Sequence, residues 1–424
     1  MNASAQKIMR RIEVLGKISD EPANLTRTFA SPAMWRVNEL VGKWMRLAGM
    51  VTRVDAIGNL IGHYAAAKPD AKKLLFGSHL DTVRNAGKFD GPLGVILAIA
   101  CVEHLHRRRI RLPFGIEVIG FADEEGVRYQ TAYLGSRALS GELREKDLNL
   151  EDEEGISLRA AIKKFGGDAA KLKSARRDRE KLLGYIEAHI EQGPVLASQN
   201  LAVGVVTVIA GQTRARLRFV GRAGHAGTTP MNRRQDALPA AAEFILAAEN
   251  LARNTLGAVA TVGEISARPG ASNVIPGEVL LTLDVRHEKD AVRKSLHAAL
   301  LKAAGQIARR RKLRLLSSIV SETPAVHCCR KLSSLFKQSL HRRQKKILAL
   351  PSGAGHDAAV MARLAPMAML FIRCKNGVSH HPAESVTGRD TEVAFAVLND
   401  FLASLAEQCG RPDAKQSPNR RAIC

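Results

Sequence analysis

Aromatic side chains are scarce in this 424-residue chain: 4% of it, with two Trp and four Tyr. Its cores must rest on Leu, Val, Ile and Ala, and recognition of nucleic acid through stacked rings has little to work with. No apolar run approaches the roughly 20 residues that span a bilayer. The first residues, Met1 to Lys7, lead into an amphipathic segment without the apolar stretch of a signal peptide. Cysteine is sparse as well. Six are present and none forms a C-x-x-C pair, and the adjacent Cys328 and Cys329 suit neither a zinc knuckle nor a disulfide framework. The expected compartment is a reducing one, the cytoplasm.

Acidic residues are outnumbered, with Asp+Glu 41 against Lys+Arg 64 and a formal charge of +23. That balance raises a function from a different class, a basic nucleic-acid-associated protein. The excess is scattered, however, over His106 to Arg109, Arg176 to Arg179, Arg309 to Lys312 and His341 to Lys346. None of these clusters is interleaved with aromatics, and no Cys/His finger spacing is present. The expectation is solvated helix faces, no nucleic-acid partner and no membrane. A small anionic substrate would feel the same field, in a salt-dependent way.

What is present reads as an α/β protein of two domains, the natural division for this length. Helical periodicity covers 5–18 and 31–49. Strands are expected at 51–54, 59–64 and 73–77, a buried helix at 91–105 and a strand at 115–122. Residues 156–183 read as a charged helical insertion on the surface, and 183–189 as the next strand. The pattern then changes. Strands at 201–208, 213–220, 258–263 and 279–285 alternate with long helices at 235–253 and 288–311, which suggests an α+β sandwich. A β-α-β pattern returns at 346–371. The second domain, 210–325, is therefore expected to be inserted in the first, 1–209 with 326–409. Residues 410–424 read as a disordered tail.

Five distant stretches carry metal-type ligands: Gly77 to Thr82 with His79 and Asp81, Phe89 to Gly91 with Asp90, Asp123 to Gly126 with Glu124 and Glu125, Glu187 to Gln192 with His189, and Val378 to Pro382 with His380. Taken singly, each has an ordinary explanation as a capped turn or a solvated pair. Together, each follows an apolar strand or sits in a turn marked by Gly or Pro, as strand-end loops do in α/β sheets. They suffice for two divalent ions about 3.5–4 Å apart, bridged by a water. His79 and His380 suit outer positions. Asp90 could bridge, Glu125 could complete one site and His189 the other. Glu124 is left beside the metals, free to take a proton from an acidified water. Asp81, two residues beyond His79, could fix the imidazole tautomer.

Several segments make the chain similar to a known family: Gly77 to Val83, Phe89 to Gly91, Glu124 to Tyr129, His189 to Pro194 and Ser379 to Glu384. They resemble the amidohydrolase branch of the M20 metallopeptidase family, over about residues 10–405. The branch holds allantoate amidohydrolases, N-carbamoyl-L-amino-acid hydrolases and β-ureidopropionases. The resemblance implies a di-metal aminopeptidase-like α/β catalytic domain with an inserted α+β lid that also forms a homodimer. It implies two divalent metal ions per subunit, zinc first and manganese or cobalt as alternatives. The implied ligands are His79, Asp90, Glu125, His189 and His380, with Glu124 as general base and Asp81 as the orienting residue.

The lid motif Gly224 to Met231 matches the segment whose His, here His225, polarises the scissile carbonyl. Gln212, Asn273 and Arg286 match positions that bind a substrate carboxylate and ureido group. Gly355, in Ser352 to Ala358, matches a substrate-side loop. The implied reaction is hydrolysis of a carbon–nitrogen bond in a linear amide of a small ureido carboxylate. Allantoate comes first, giving ureidoglycine or ureidoglycolate, ammonia and carbon dioxide. N-carbamoyl-L-amino acids and β-ureidopropionate are the alternatives.

Overall fold

The structure is a computed structural model and describes residues 1–344 and 346–410. It divides into two compact units, one of Met1–Thr207 with the chain from Cys328 onward, the other of Val208–His327. The α/β class expected from the sequence holds.

The first unit is built on a nine-stranded sheet. Its centre is four parallel strands in the order Gly115–Phe121, Lys73–His79, Leu182–Ile190 and Met367–Ile372. Nearly every residue of these strands is buried. That explains why they read as continuous apolar runs rather than alternating ones. Because the four are parallel, their carboxyl ends lie along one edge of the sheet, and the loops leaving that edge carry the candidate ligands. The helix Pro92–Arg107 starts directly behind one of these loops. It buries Leu93 to Val102 without interruption and has Pro at its first position, where no N–H is needed.

Four differences from the sequence reading stand out. Residues 156–183 do not form one helix. The helix Leu158–Lys164 stops before Gly166 and Gly167, and only short turns follow. Nor is this segment wholly on the surface. Leu158, Ala161, Ile162 and Ala175 join Phe29, Ile57, Leu134 and Leu148 in a second apolar cluster. The helices Arg330–His341 and Gly388–Gly410 pack on the main core and were not expected. The strand Arg314–Thr323 was not expected either. The segment expected to be a disordered tail begins on the last residue of Gly388–Gly410 and otherwise lies outside the described residues. No helix among the described residues is long and apolar enough to cross a membrane.

The second unit is a five-stranded antiparallel sheet in the order Ile265–Arg268, Glu278–His287, Gly211–Val220, Arg314–Thr323, with Val259–Thr261 also paired to Glu278–His287. The helices Ala237–Arg253 and Asp290–Arg310 contribute Phe244, Leu296 and Leu300 to a core with Leu217, Phe219, Leu281 and Leu283. Alternation is strict along Gly211–Val220. Thr213, Ala215, Leu217 and Phe219 are buried, while Gln212, Arg214, Arg216 and Arg218 take the other face.

Candidate metal centre

The five candidate ligands meet at the carboxyl edge of the first unit's sheet. His79 is the last residue of its strand, and His189 is the penultimate residue of the next. Glu124 and Glu125 follow Gly115–Phe121, and His380 follows Met367–Ile372. Asp90 lies on the loop before the buried helix. A Cβ on Gly91, whose φ is 81°, would come within 2.5 Å of the His79 ring, so only glycine lets this loop close on the imidazole.

Asp90 divides its carboxylate between two groups. Oδ1 lies 3.0 Å from His189 Nε2 and 3.7 Å from His79 Nε2. Oδ2 lies 3.2 Å from His380 Nε2, which is itself 3.6 Å from Glu125 Oε1. His79, Asp90 and His189 thus form one donor set, and Asp90, Glu125 and His380 another.

The backbone decides which ring nitrogens face inward. His79 Nδ1 donates to the carbonyl of Asp81 at 3.1 Å, and His189 Nδ1 donates to the carbonyl of Ile190 at 2.9 Å. Each Nε2 therefore presents a lone pair, and the two lie 3.4 Å apart with Asp90 Oδ1 beside them. Three acceptors converging with no donor among them call for a cation. His79 and His189 are 2% exposed and Asp90 4%, so solvent does not relieve the repulsion.

Electrostatics point the same way. Burial pushes the Glu124 carboxyl well above the usual range, and the neighbouring Glu125 adds to it. Burial lifts Glu125 to about 7. Burial would also lift Asp90, but the His189, His380 and His79 rings, donating to it once they take up protons in the absence of a cation, outweigh burial and hold its carboxyl well below the usual range. Without a cation, the two imidazoles shift upward against their own burial by leaning on Asp81 and Asp90. This is a site short of positive charge, and a divalent ion in each donor set would supply it.

Asp81 lies beneath the glutamate pair. Its carboxylate is 3.4 Å from His79 Nδ1. It also accepts the backbone N–H of Glu124 at 3.0 and 3.1 Å and that of Glu125 at 3.1 Å. One carboxylate thereby orients an imidazole and fixes the turn that carries both glutamates. The Glu124 carboxylate has no hydrogen bond among the described residues. It lies with His79 and Glu125 in a group whose ligand atoms are all within 4.8 Å of one another.

Several supporting residues come from the same motifs. Gln192 Nε2 and Ser379 Oγ donate to Asp90 Oδ2 at 2.7 and 2.8 Å. Glu384 accepts the backbone N–H of Phe89 and Asp90 at 2.8 and 3.1 Å, fixing the Asp90 loop from almost 300 residues away. Glu187, His189 and His356 also come close together. There Glu187 is already occupied by Ser78, Tyr185 and the backbone N–H of Ala358, and His356 packs edge-on against the His189 ring, with ring centroids 4.5 Å apart. His380 and Gln192 hold positive φ, 54° and 56°, a strained choice for residues with side chains. His381 is exposed and accepts the backbone N–H of Ala383 at 3.1 Å, as a turn residue. Gly355 lies where a Cβ would run into the Tyr133 hydroxyl.

The other candidates sit on the second unit at two places. Gln212 is opposite Arg286 on the five-stranded sheet. His225 is opposite Val274, next to Asn273, whose carbonyl accepts the N–H of Ala226 at 2.9 Å. His225 Nδ1 accepts the backbone N–H of Gly227 and Thr228 at 3.0 and 3.2 Å. Its Nε2 therefore carries the proton in the neutral ring and presents a donor.

The family model of peptidase family M20/M25/M40 matches residues 75–404. The chain is 40% identical to allantoate deiminase 1 of Glycine max, over 93% of this chain and 88% of that one. It is also 40% identical to the N-carbamoyl-L-amino acid amidohydrolase of Geobacillus stearothermophilus, over 95% and 98%. Among solved structures, an amidase of the hydantoinase/carbamoylase family from Burkholderia multivorans superposes with a TM-score of 0.87, at 29% identity over 95% of this chain and 98% of that one. The family of divalent-metal hydrolases to which this chain belongs is peptidase family M20/M25/M40.

Proposed function

We propose that the protein hydrolyses the ureido amide of a small carboxylate, with allantoate as first substrate and ureidoglycine or ureidoglycolate, ammonia and carbon dioxide as products. The observation that carries this reading is the split carboxylate of Asp90 beside a Glu124 carboxylate with no competing hydrogen bond. Relatives named for allantoate and for N-carbamoyl-L-amino acids at equal identity support the substrate class and keep the second substrate as the alternative.

In this reading His79, Asp90 and His189 hold one cation, and Asp90, Glu125 and His380 the other. When bound, such a pair supplies a water acidified toward neutrality and a Lewis acid for the carbonyl oxygen. Glu124 removes the proton from the attacking water and later delivers it to the leaving nitrogen. Asp81 keeps His79 and the glutamate turn in register. His225 Nε2–H donates to the oxygen on which negative charge develops. Arg286 takes the substrate carboxylate, and Gln212 and Asn273 take the ureido group. Gly355 leaves room on the substrate-side loop. Zinc is the first expectation for the ions, with manganese and cobalt as alternatives.

A homodimer through the second unit belongs to the same reading. Its support is the edge strand Arg314–Thr323, which is exposed along almost its whole length with Ile319 and Val320 outward. A cytoplasmic setting rests on the sequence grounds alone.

The decisive experiment is a steady-state panel on chelated protein reconstituted with zinc, manganese or cobalt, comparing allantoate with N-carbamoyl-L-amino acids and β-ureidopropionate. Turnover of allantoate with release of ammonia is expected. A preference for carbamoyl amino acids would move the protein to the second reading. Metal uptake without turnover of any ureido compound would end both.

A further inference from the structure

We infer that Asp284 is a positioning residue that sets the hydrogen-bond polarity of Gln212 and Arg286 toward a ureido carboxylate. The inference rests on the proposed substrate roles of those two residues.

Asp284 lies on Glu278–His287, two residues before Arg286 and on the same face of the strand. Its register partner is Arg214, and the next pair on that face is Arg286 with Gln212. The carboxylate gathers three side chains. Oδ1 accepts from Arg286 Nε at 3.0 Å. Oδ2 accepts from Gln212 Nε2 at 2.6 Å, Arg286 Nη2 at 2.9 Å and Arg214 Nε at 3.3 Å. By contrast, Glu278 on the same strand pairs with the single cation Arg218, at 3.4 Å.

The chemistry follows from what a carboxylate can do. An ionised carboxylate only accepts, so the amide it faces must turn its NH2 inward. Gln212 then presents its carbonyl oxygen onward, and the N–H groups of a ureido compound are the donors that match it. Without Asp284 the amide could turn over and present a donor, which a ureido N–H would meet unfavourably. The bidentate grip on Nε and Nη2 also fixes the plane of the Arg286 guanidinium, and with it the direction from which a substrate carboxylate is met. Burial would raise the Asp284 carboxyl, but Arg286 and Arg214 outweigh it and hold it below the usual range. It is therefore an acceptor throughout the neutral pH range.

The test is a double-mutant cycle of Asp284→Asn and Gln212→Ala, with Arg286→Lys alongside, read as KM and kcat for allantoate or the best carbamoyl substrate. Asp284→Asn is nearly isosteric but can donate. It should raise KM by roughly 10-fold or more, the scale of a charge-assisted hydrogen bond, and leave kcat within about 3-fold. In Gln212→Ala its effect should shrink, because the amide it orients is gone. Asp284→Glu should recover part of the KM, which guards against misfolding of the Asn variant.

Full additivity of the two substitutions overturns the inference. So does a fall in melting temperature and kcat with KM unchanged. If Gln212→Ala and Arg286→Lys raise KM but Asp284→Asn does not, the inference fails and the substrate reading stands. If none of the three moves KM, the substrate reading itself falls.

Discussion

The metal centre and the outward face of the second unit's sheet use the same few residue types in opposite ways. In the first, the carboxylates are buried or nearly so, and Asp81, Glu384 and Glu187 each hold backbone N–H groups as well as side chains. In the second, Gln212, Asp284 and Arg286 are half-buried and joined through the Asp284 carboxylate, while His225 and Asn273 are exposed. Under the proposed function, the contrast separates two tasks. Activating water needs donors fixed to a fraction of an ångström against strong repulsion. Recognising a small substrate needs a few polar groups of defined direction, which a sheet surface provides with little strain.

That contrast can be broken most severely at Glu124. Glu124→Gln is expected to lower kcat by about 10²- to 10⁴-fold, the usual worth of a positioned general base. Metal content measured by elemental analysis should stay at the wild-type value. Loss of metal instead would make Glu124 a ligand and merge the two tasks. The next effect is on the recognition side. Arg286→Lys keeps the charge and loses the planar fork, so KM should rise about 10- to 100-fold with kcat little changed. A change in kcat alone would move Arg286 into the chemistry.

A smaller effect belongs to the centre without its ions. Burial raises Glu125 to about 7 and the pKa values of Glu124, His79 and His189 are raised as well. Stability tied to a raised pKa is present at low pH and lost as the pH climbs through the folded value. Chelated protein should therefore lose melting temperature by a few degrees between about pH 5 and 8. A divalent cation should abolish the slope, and a flat profile in chelated protein would show that the repulsion is not felt. The smallest effect is expected at His381. His381→Ala should keep kcat/KM within about 2-fold, since exposed substitutions away from a site are usually mild. His380→Ala should reduce metal content. A reversed outcome would exchange the two imidazoles.

Much of the centre was legible in the sequence because it sits at strand ends. A buried parallel strand is a short apolar run, and the first polar residue after it lies at the sheet's edge. His79, Glu124, Glu125 and His189 could be placed that way. The residues that were missed act across distance or through the backbone. Nothing near Glu384 in sequence says that it holds the Asp90 loop, and Gln192 reaches Asp90 only because its backbone takes a left-handed turn. The i,i+2 spacing of Asp284 and Arg286 is a signal in the sequence, since on a strand it puts both side chains on one face. The strand Arg314–Thr323 escaped because an exposed edge strand lacks the alternation that marks a half-buried one. The segment 156–183 misled because its charge conceals buried apolar positions such as Leu158 and Ile162.

The chain leaves the first unit along Val203–Ile209 and returns along Val326–His327, and these strands pair as Val208 with His327 and Ile209 with Val326. Exit and return are thus neighbours across one antiparallel ladder, with Cα atoms about 4.5–5.5 Å apart. A segment whose two ends meet behaves as a cassette. It can be lengthened, exchanged or replaced by a short link without rethreading the sheet it leaves. If the proposed roles hold, evolution can redraw what is recognised while the water-activating half is inherited unchanged, and an engineer can try the same by grafting the cassette of a relative with a different ureido substrate.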